Sequence, residues 1–143
     1  MNTREIRYGS NDYKRCLDLR TLILRKPLGI ELSEADVIGE HEQIHLGIFQ
    51  NQQLMGCIIA KTIEEDQKAH IRQMVIATEA QGRGFGRRLI RDTESVLRAR
   101  GFREVELNAR ETAVPFYEKQ GYERVGDLFE KLGIPHLKMQ KQL

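Results

Sequence analysis

The most informative stretch of this chain is Gln81-Gly82-Arg83-Gly84-Phe85-Gly86, which lies between a predicted strand and a predicted amphipathic helix. Its three glycines alternate with larger residues and leave the backbone N–H groups unshielded. The helix that begins here adds the positive end of its dipole, so the turn is suited to receive a phosphate. A merely tight strand-to-helix turn would show the same glycines, and the stretch alone leaves both interpretations open.

Two common nucleotide-binding motifs do not fit this stretch. A Rossmann fingerprint requires a glycine three residues after Gly84, where the chain has Arg87. A P-loop requires a Gly-Lys-Ser/Thr ending, which is absent. Neither nucleotide-binding motif therefore accounts for these glycines, and a phosphate-binding turn and a plain tight turn both stay open.

Strands and short turns are predicted before the glycine-rich stretch. Ile6 and Tyr8 alternate with charged residues and predict a first strand, and capping side chains at Ser10 to Asp12 predict a helix that ends at 26–29. Ser33 with Asp36 resembles a capping box, which predicts a brief second helix. Three further strands are predicted at 44–49, 54–63 and 70–76, separated by turns at 51–53 and 64–68.

Helices and strands alternate after the stretch. A helix from about Gly86 to Arg100 is followed by a strand at 104–108. Another helix is predicted after this strand, with Thr112 as its cap and Gly121 as its stop. Strands at 122–125 and 136–143 complete the pattern, which predicts an α/β or α+β layered fold.

Composition limits the class of protein. The chain has 143 residues, 40% hydrophobic and 31% charged, with a formal net charge of +2. These values predict one globular domain over residues 1–143 and do not match disordered or membrane-spanning chains. The charged N-terminal stretch lacks the apolar core of a secretory signal, so we expect a cytoplasmic location.

Cysteines and histidines predict no metal site. Cys16 and Cys57 lie among apolar residues and are expected to be small core side chains. The four histidines match no zinc-binding pattern.

The glycine-rich stretch and a second motif, at 116–122, make the chain resemble the GNAT superfamily of N-acetyltransferases, in which the two motifs occur in the same order. The pyrophosphate loop of that family reads (Q/R)xxGx(G/A), and this chain has QGRGFG at 81–86. A FYEKxGF-like stretch is typical of a later helix in the family, and FYEKQGY stands at 116–122. The resemblance covers the strand and helix pattern from Ile6 to Leu143. It implies a mixed, mostly antiparallel central sheet with helices on both faces.

The resemblance also implies which residues bind acetyl-CoA. Met74 falls at the place whose backbone N–H faces the thioester oxygen, and Val75 and Ile76 fall where the strand meets pantetheine. The implied phosphate-binding residues are Gln81, Gly82, Arg83, Gly84, Phe85, Gly86 and Arg87. Many members have Asn seven residues before the tyrosine, where this chain has Arg110, so Asn108 is the candidate for that contact.

Two side chains are implied in catalysis. Tyr117 matches the tyrosine that faces the sulfur of the departing coenzyme A. Its pKa of about 10 exceeds that of a thiol, so hydrogen bonding to the thiolate is the safer role. His70 lies near the place where some members have a glutamate base, and an imidazole can relay a proton through water. Packing for Tyr117 and an ordinary structural role for His70 remain the alternatives.

We therefore predict an N-acetyltransferase that moves an acetyl group from acetyl-CoA to an amine by direct attack. The acceptor would be a small-molecule or peptide amine, shaped by residues 24–40 and 129–136. A coenzyme A binding or sensing module without catalysis is the alternative. The arginines around the glycine-rich stretch, in and after the helix that begins there, would also suit nucleic acid. The small net charge makes nucleic-acid binding the least favoured interpretation. No membrane partner is expected, and a homodimer is compatible with the resemblance.

Overall fold

The structure, a computed structural model, describes residues 1–63 and 67–143. The strands are β1 (Asn2–Glu5), β2 (Ile44–Gln50), β3 (Gln53–Ile63), β4 (Lys68–Ile76), β5 (Glu104–Arg110), β6 (Glu123–Lys131) and β7 (Ile134–Gln142). The helices are α1 (Asn11–Arg20), α2 (Glu34–Val37), α3 (Phe85–Ala99) and α4 (Val114–Lys119). A π-helical turn, Thr21–Arg25, extends α1.

The seven strands form one mixed sheet in the order β1-β2-β3-β4-β5-β7-β6. Neighbouring strands are antiparallel except for β4 and β5, which are parallel. Because α3 connects β4 to β5 across one face, these two strands can run in the same direction. The prediction of a mixed, mostly antiparallel sheet is confirmed.

Each face of the sheet has its own apolar core, since successive strand residues point to opposite sides. Leu89 and Ile90 of α3 are fully buried in the cluster that contains Ile58 of β3. Cys16 of α1 belongs to the cluster on the other face, with Cys57 of β3. Helices therefore cover both faces, as predicted, and both cysteines are buried and free.

Capping residues start the first two helices as the sequence predicts. The Ser10 hydroxyl accepts a hydrogen bond from the Tyr13 N–H at 3.2 Å. Ser33 and Asp36 form both bonds of a capping box at the start of α2. These short polar side chains satisfy N–H groups that a helix start leaves without partners.

Three predicted boundaries are wrong. The first strand ends at Glu5, and Ile6 lies beyond it in the core of the α1 face, with Tyr8 exposed. Thr112 belongs to a 3₁₀ turn, and α4 begins after Ala113 without a side-chain cap. The strands β6 and β7 meet in one long hairpin, whereas the sequence predicted a gap at 126–135.

The hairpin was missed because β6 gives no alternating apolar signal. Eight of its nine residues are exposed, as expected for a strand at the edge of the sheet. Its turn is made by Leu132 and Gly133, both with positive φ, which is the geometry of a tight two-residue hairpin. Of the predicted turn at 64–68, residues 64–66 lie outside the described residues.

Candidate active site

A gap opens in the sheet where β4 and β5 stop pairing. Their parallel register runs from Lys68↔Glu104 to Ile71↔Leu107. Beyond that point β4 continues to Ile76 and β5 continues to Arg110 without pairing to each other. The backbone of β4 on this side is therefore open to a ligand.

A β-bulge at Gln73 coincides with the start of the gap. Cys57 pairs with Val75 and Ile59 pairs with Arg72, so Ile58 opposes two residues of β4. Gln73 has a φ of 53°, which is uncommon for a residue other than glycine. A bulge bends its strand and can end pairing on the far side, which accounts for the separation of β4 from β5.

A buried ionic network supports the bulge from the α1 face. Arg20 Nε donates to Gln73 Oε1 at 3.2 Å, and the guanidinium of Arg20 binds both carboxylate oxygens of Glu40 at 2.9 and 2.8 Å. Glu40 also accepts from Arg72 Nη1 and from Tyr13 Oη, each at 2.7 Å. Burial would raise the pKa of Glu40, but these donors together hold it below its usual range, so the carboxyl is ionised.

The glycine-rich stretch follows β4 and caps α3. Gln81 Nε2 donates to the carbonyl of Ile76 at 3.0 Å, which ties the stretch to the end of β4. Gly82 and Gly84 have φ values of 75° and 86°, a conformation that favours glycine. Arg88 N–H donates to Gly84 O at 3.1 Å, and within the described residues the N–H groups of 82–87 donate to no backbone carbonyl. These N–H groups are available to an anion.

Side chains around the glycine-rich stretch divide between core and surface. Phe85 is buried in the α3-face cluster, whereas Gln81, Arg83 and Arg87 are exposed. Arg83 reaches across to Gln50 Oε1 at 3.1 Å.

Met74 connects the glycine-rich stretch to Tyr117. A Cβ atom added at Gly86 would lie 3.6 Å from Met74 Cε and 3.5 Å from the ring of Phe116. On its other side, the sulfur of Met74 accepts a hydrogen bond from Tyr117 Oη at 3.4 Å. The start of α3, β4 and α4 therefore meet at the gap in the sheet.

A cavity of about 430 Å³ borders this meeting point on the side of Met74 and Tyr117. It contains four of the residues that the sequence analysis singled out as site residues, namely His70, Met74, Asn108 and Tyr117. Its other walls come from the rest of β4 and β5, the π-helical turn, α2, the 3₁₀ turn before α4 and the β6–β7 hairpin. The glycine-rich stretch does not line it, Val75 is buried in the α1-face core, and Ile76 is partly buried.

Tyr117 is a weak acid in this environment. Burial raises its pKa to about 12. Its ring packs against Phe116 and Tyr122, with centroid distances of 5.1 and 5.8 Å, which fixes the direction of the hydroxyl. The group can donate a hydrogen bond into the gap at neutral pH, but it gives up its proton reluctantly.

His70 is paired with a carboxylate on the neighbouring strand. Its Nδ1 lies 2.8 Å from Glu106 Oε2, across the parallel register between β4 and β5. Because a carboxylate accepts, Nδ1 donates, and the neutral ring has its lone pair on Nε2. Burial lowers the pKa of His70 despite the opposing effect of Glu106, so the ring is neutral at pH 7.

The basic wall of the cavity was not predicted from the sequence. Arg110 lines it in the place where the family often has Asn, and Arg25, Arg72 and Lys131 line it as well. The substitution of Asn by Arg was visible in the sequence, but the convergence of four basic residues from distant segments was not.

Neither a metal-binding cluster nor a membrane-spanning helix is found within the described ranges. Within residues 1–63 and 67–143, no three His, Cys, Asp or Glu side chains are grouped so as to hold a metal ion. No helix in these ranges is long and apolar enough to cross a membrane.

Most of the chain matches one protein family. Residues 31–143 match the family described as an acetyltransferase (GNAT) domain. The Bacillus subtilis protein YyaT is 25% identical over 130 residues, which are 85% of this chain and 86% of that protein.

Solved structures share the fold at low identity. An aminoglycoside 6'-N-acetyltransferase complexed with coenzyme A has a TM-score of 0.81 at 19% identity, covering 99% of this chain and 97% of that one. Escherichia coli ElaA has a TM-score of 0.82 at 18% identity, covering 98% of both chains. The family match covers most of the sequence and the fold agrees with it, so the chain belongs to the GNAT family of acetyltransferases.

Proposed function

We propose that this protein transfers an acetyl group from acetyl-CoA to an acceptor amine by direct attack, without a covalent enzyme intermediate. The observation that carries the proposal is the meeting of Gly86, Met74 and Tyr117 at the gap between β4 and β5. A ligand that reaches from the glycine-rich stretch through this gap arrives at the cavity where an acceptor can enter.

The cosubstrate would be held mainly by backbone groups. Residues 81–87 would bind its phosphates, since within the described residues the N–H groups of 82–87 donate to no backbone carbonyl and lie at the positive end of α3. Val75 and Ile76 would pair with the pantetheine arm, and the N–H of Met74 would face the thioester oxygen. Preformed N–H donors stabilise the negative charge that develops on that oxygen during attack. Asn108, exposed at the cavity edge, would contact the same substrate.

Tyr117 would act on the leaving group. When the amine attacks the carbonyl carbon, the carbon–sulfur bond breaks and the thiolate leaves with the electron pair. A hydrogen bond from Tyr117 Oη lowers the energy of that thiolate.

His70 would accept the proton that the amine loses. An alkylamine is mostly protonated at pH 7, so it must lose a proton before or during attack. His70 lines the cavity, and Glu106 holds its ring with Nε2 unprotonated. Proton transfer through a water molecule would suit this arrangement.

The acceptor of the aminoglycoside-modifying neighbour is not carried over to this chain. Aminoglycosides carry several ammonium groups. Among the described residues, the cavity is lined by Arg25, Arg72, Arg110 and Lys131 and by one carboxylate, that of Asp36, while Glu40, outside the lining, pairs with Arg72. Like charges so close together in a partly buried site oppose the entry of a polycation.

We also propose that residues 1–143 form one domain, because β1 near the start and β7 near the end belong to the same sheet. A cytoplasmic location and the lack of a nucleic-acid partner stay predictions.

Turnover against a panel of amines tests the proposed function. Release of the coenzyme A thiol and the mass of the N-acetylated product are followed for primary amines of different size and charge. Thiol release in step with product supports the transferase. Tight binding of acetyl-CoA without product from any amine supports the coenzyme A binding module instead.

A further inference from the structure

Among the described residues, the cavity that would receive the acceptor has more basic side chains than acidic ones, and one of its guanidinium groups has no carboxylate partner. The inference drawn from it rests on the proposed function, since it concerns the acceptor of that same site. Three guanidinium groups line the cavity, from Arg25, Arg72 and Arg110, and a fourth, the buried Arg20, shares the carboxylate of Glu40 with Arg72. The second carboxylate near these arginines is that of Asp36.

The carboxylates are already occupied by three of the arginines. Asp36 Oδ1 accepts from Arg25 Nη2 at 2.9 Å, and the hydrogen bond from Arg25 holds the pKa of Asp36 at about 2. Glu40 is fully buried between Arg20 and Arg72, which bind it at 2.8 and 2.7 Å. Arg72 also donates to the carbonyl of Asp36 at 2.6 Å. These three guanidiniums therefore have structural partners.

Arg110 has no such partner among the described residues. Its guanidinium is half-buried in the cavity wall, and within those residues it makes a single hydrogen bond, from Nη2 to Leu24 O at 3.5 Å, near the limit of such a bond. Within the described part of the chain, no carboxylate lies within 4.0 Å of it. Burial lowers the pKa of Arg110, and repulsion from Arg25 lowers it further.

A guanidinium in this situation is suited to bind an anion. It has five N–H donors in a planar arrangement that matches a carboxylate or a phosphate. A partly buried charge without a counterion is unfavourable, so an anionic ligand would relieve both desolvation and the repulsion from Arg25. The residue is also well placed, because Tyr117 and Met74 line the same cavity of about 430 Å³.

We propose that the acceptor is a small primary amine that also carries an acidic group, a carboxylate or a phosphate, and that Arg110 binds this group. Arg110 then determines specificity while the chemistry takes place beside Tyr117. Lys131, exposed on the β6–β7 hairpin at the cavity mouth, adds a positive charge that favours entry of such a substrate.

Matched acceptors test this proposal in the intact protein. 3-Aminopropanoate, 5-aminopentanoate and 3-aminopropyl phosphate are each compared with the alkylamine of the same chain length. In 5-aminopentanoate the acid is distant enough to leave the pKa of the amine close to that of pentylamine. We expect kcat/KM for at least one acid to exceed that of its alkylamine by about 10- to 100-fold, the effect of one charge-assisted hydrogen bond. Whether the carboxylate acceptors or the phosphate acceptor show the larger preference over their alkylamines decides which acidic group the site binds.

Three variants locate the effect. Arg110→Gln keeps a donor for Leu24 and removes the charge, and it should reduce the preference for the acid to nearly one. Arg110→Lys should keep part of the preference. Arg98→Gln removes the same charge from an exposed position in the last turn of α3, and it should keep the parent's preference.

A binding measurement separates this proposal from the proposed function. 5-Aminopentanoate and pentylamine are titrated calorimetrically into the protein that is saturated with coenzyme A. If no amine is acetylated, the transferase proposal fails, and weaker binding of the acid to Arg110→Gln still supports the anion site. Equal kcat/KM for acids and alkylamines in the parent would overturn the proposal, and so would an unchanged preference in Arg110→Gln. In the absence of turnover, equal affinity of the parent for the two ligands would do the same.

Discussion

Replacing Tyr117 with Phe separates hydrogen bonding from proton transfer at the leaving group. With its pKa raised to about 12, the phenol would protonate a thiolate, whose conjugate thiol has a pKa near 8.5, at a cost of about 5 kcal/mol. That cost makes full proton transfer unfavourable, so the expected role is a hydrogen bond to the thiolate. Such a bond is worth about 1.5 to 3 kcal/mol, and its loss should lower kcat by about 10- to 100-fold.

The assay measures initial rates of thiol release at saturating acetyl-CoA, with chemistry shown to be rate-limiting by rapid quenching. Phe preserves the ring that packs on Phe116 and Tyr122, so calorimetry should show nearly unchanged affinity for coenzyme A. Since Tyr117 stays protonated to about pH 12, parent and variant should share the same alkaline behaviour up to pH 10. An alkaline limb near pH 9 to 10 that disappears in Tyr117→Phe would refute this reasoning, as would an unchanged kcat.

Three further predictions address the loop, the cavity wall and the base. Gly84→Val should weaken coenzyme A binding at least about tenfold in calorimetry, whereas Gly101→Val, with a similar φ of 92° against 86°, should cost similar stability and leave binding intact. The Asp36 carboxylate paired with Arg25 should contribute about 2 kcal/mol above pH 4, because its pKa falls from 3.8 to about 2 on folding. Denaturant unfolding should therefore show the stability gap between parent and Asp36→Asn shrinking as the pH falls from 4 to 2, and a constant gap would contradict the pairing. His70→Gln should remove an acidic limb of kcat/KM that lies below pH 6.5, since burial lowers the pKa of His70, and a variant that keeps both limb and rate would show that the base lies elsewhere.

Local signals in the sequence predicted much of the fold correctly. Ser10 and the capping box at Ser33 depend on residues three positions apart, so their geometry follows from the chain itself. The same holds for α3, whose apolar face repeats at helical spacing. The glycine-rich stretch at 81–86 could also be identified from the sequence, because the positive φ angles that the structure shows at Gly82 and Gly84 suit few other residues.

Features that depend on distant segments were not predictable in this way. The bulge at Gln73 is held by Arg20, which lies 53 residues earlier in the chain, and Glu40 joins Arg20 to Arg72. No local pattern indicates that these charges are buried together, since each residue type is usually exposed. The basic cavity wall around Arg110 arises in the same way, from the π-helical turn, β4, β5 and the final hairpin.

A crystal structure of the protein with coenzyme A bound tests the proposed site. We expect the pyrophosphate to accept hydrogen bonds from the N–H groups of residues 82–87 and the pantetheine arm to enter the gap between β4 and β5. We also expect the sulfur to lie within hydrogen-bond distance of Tyr117 Oη, beside Met74. Coenzyme A bound outside the gap, or with its sulfur beyond reach of Tyr117, would contradict the proposed site.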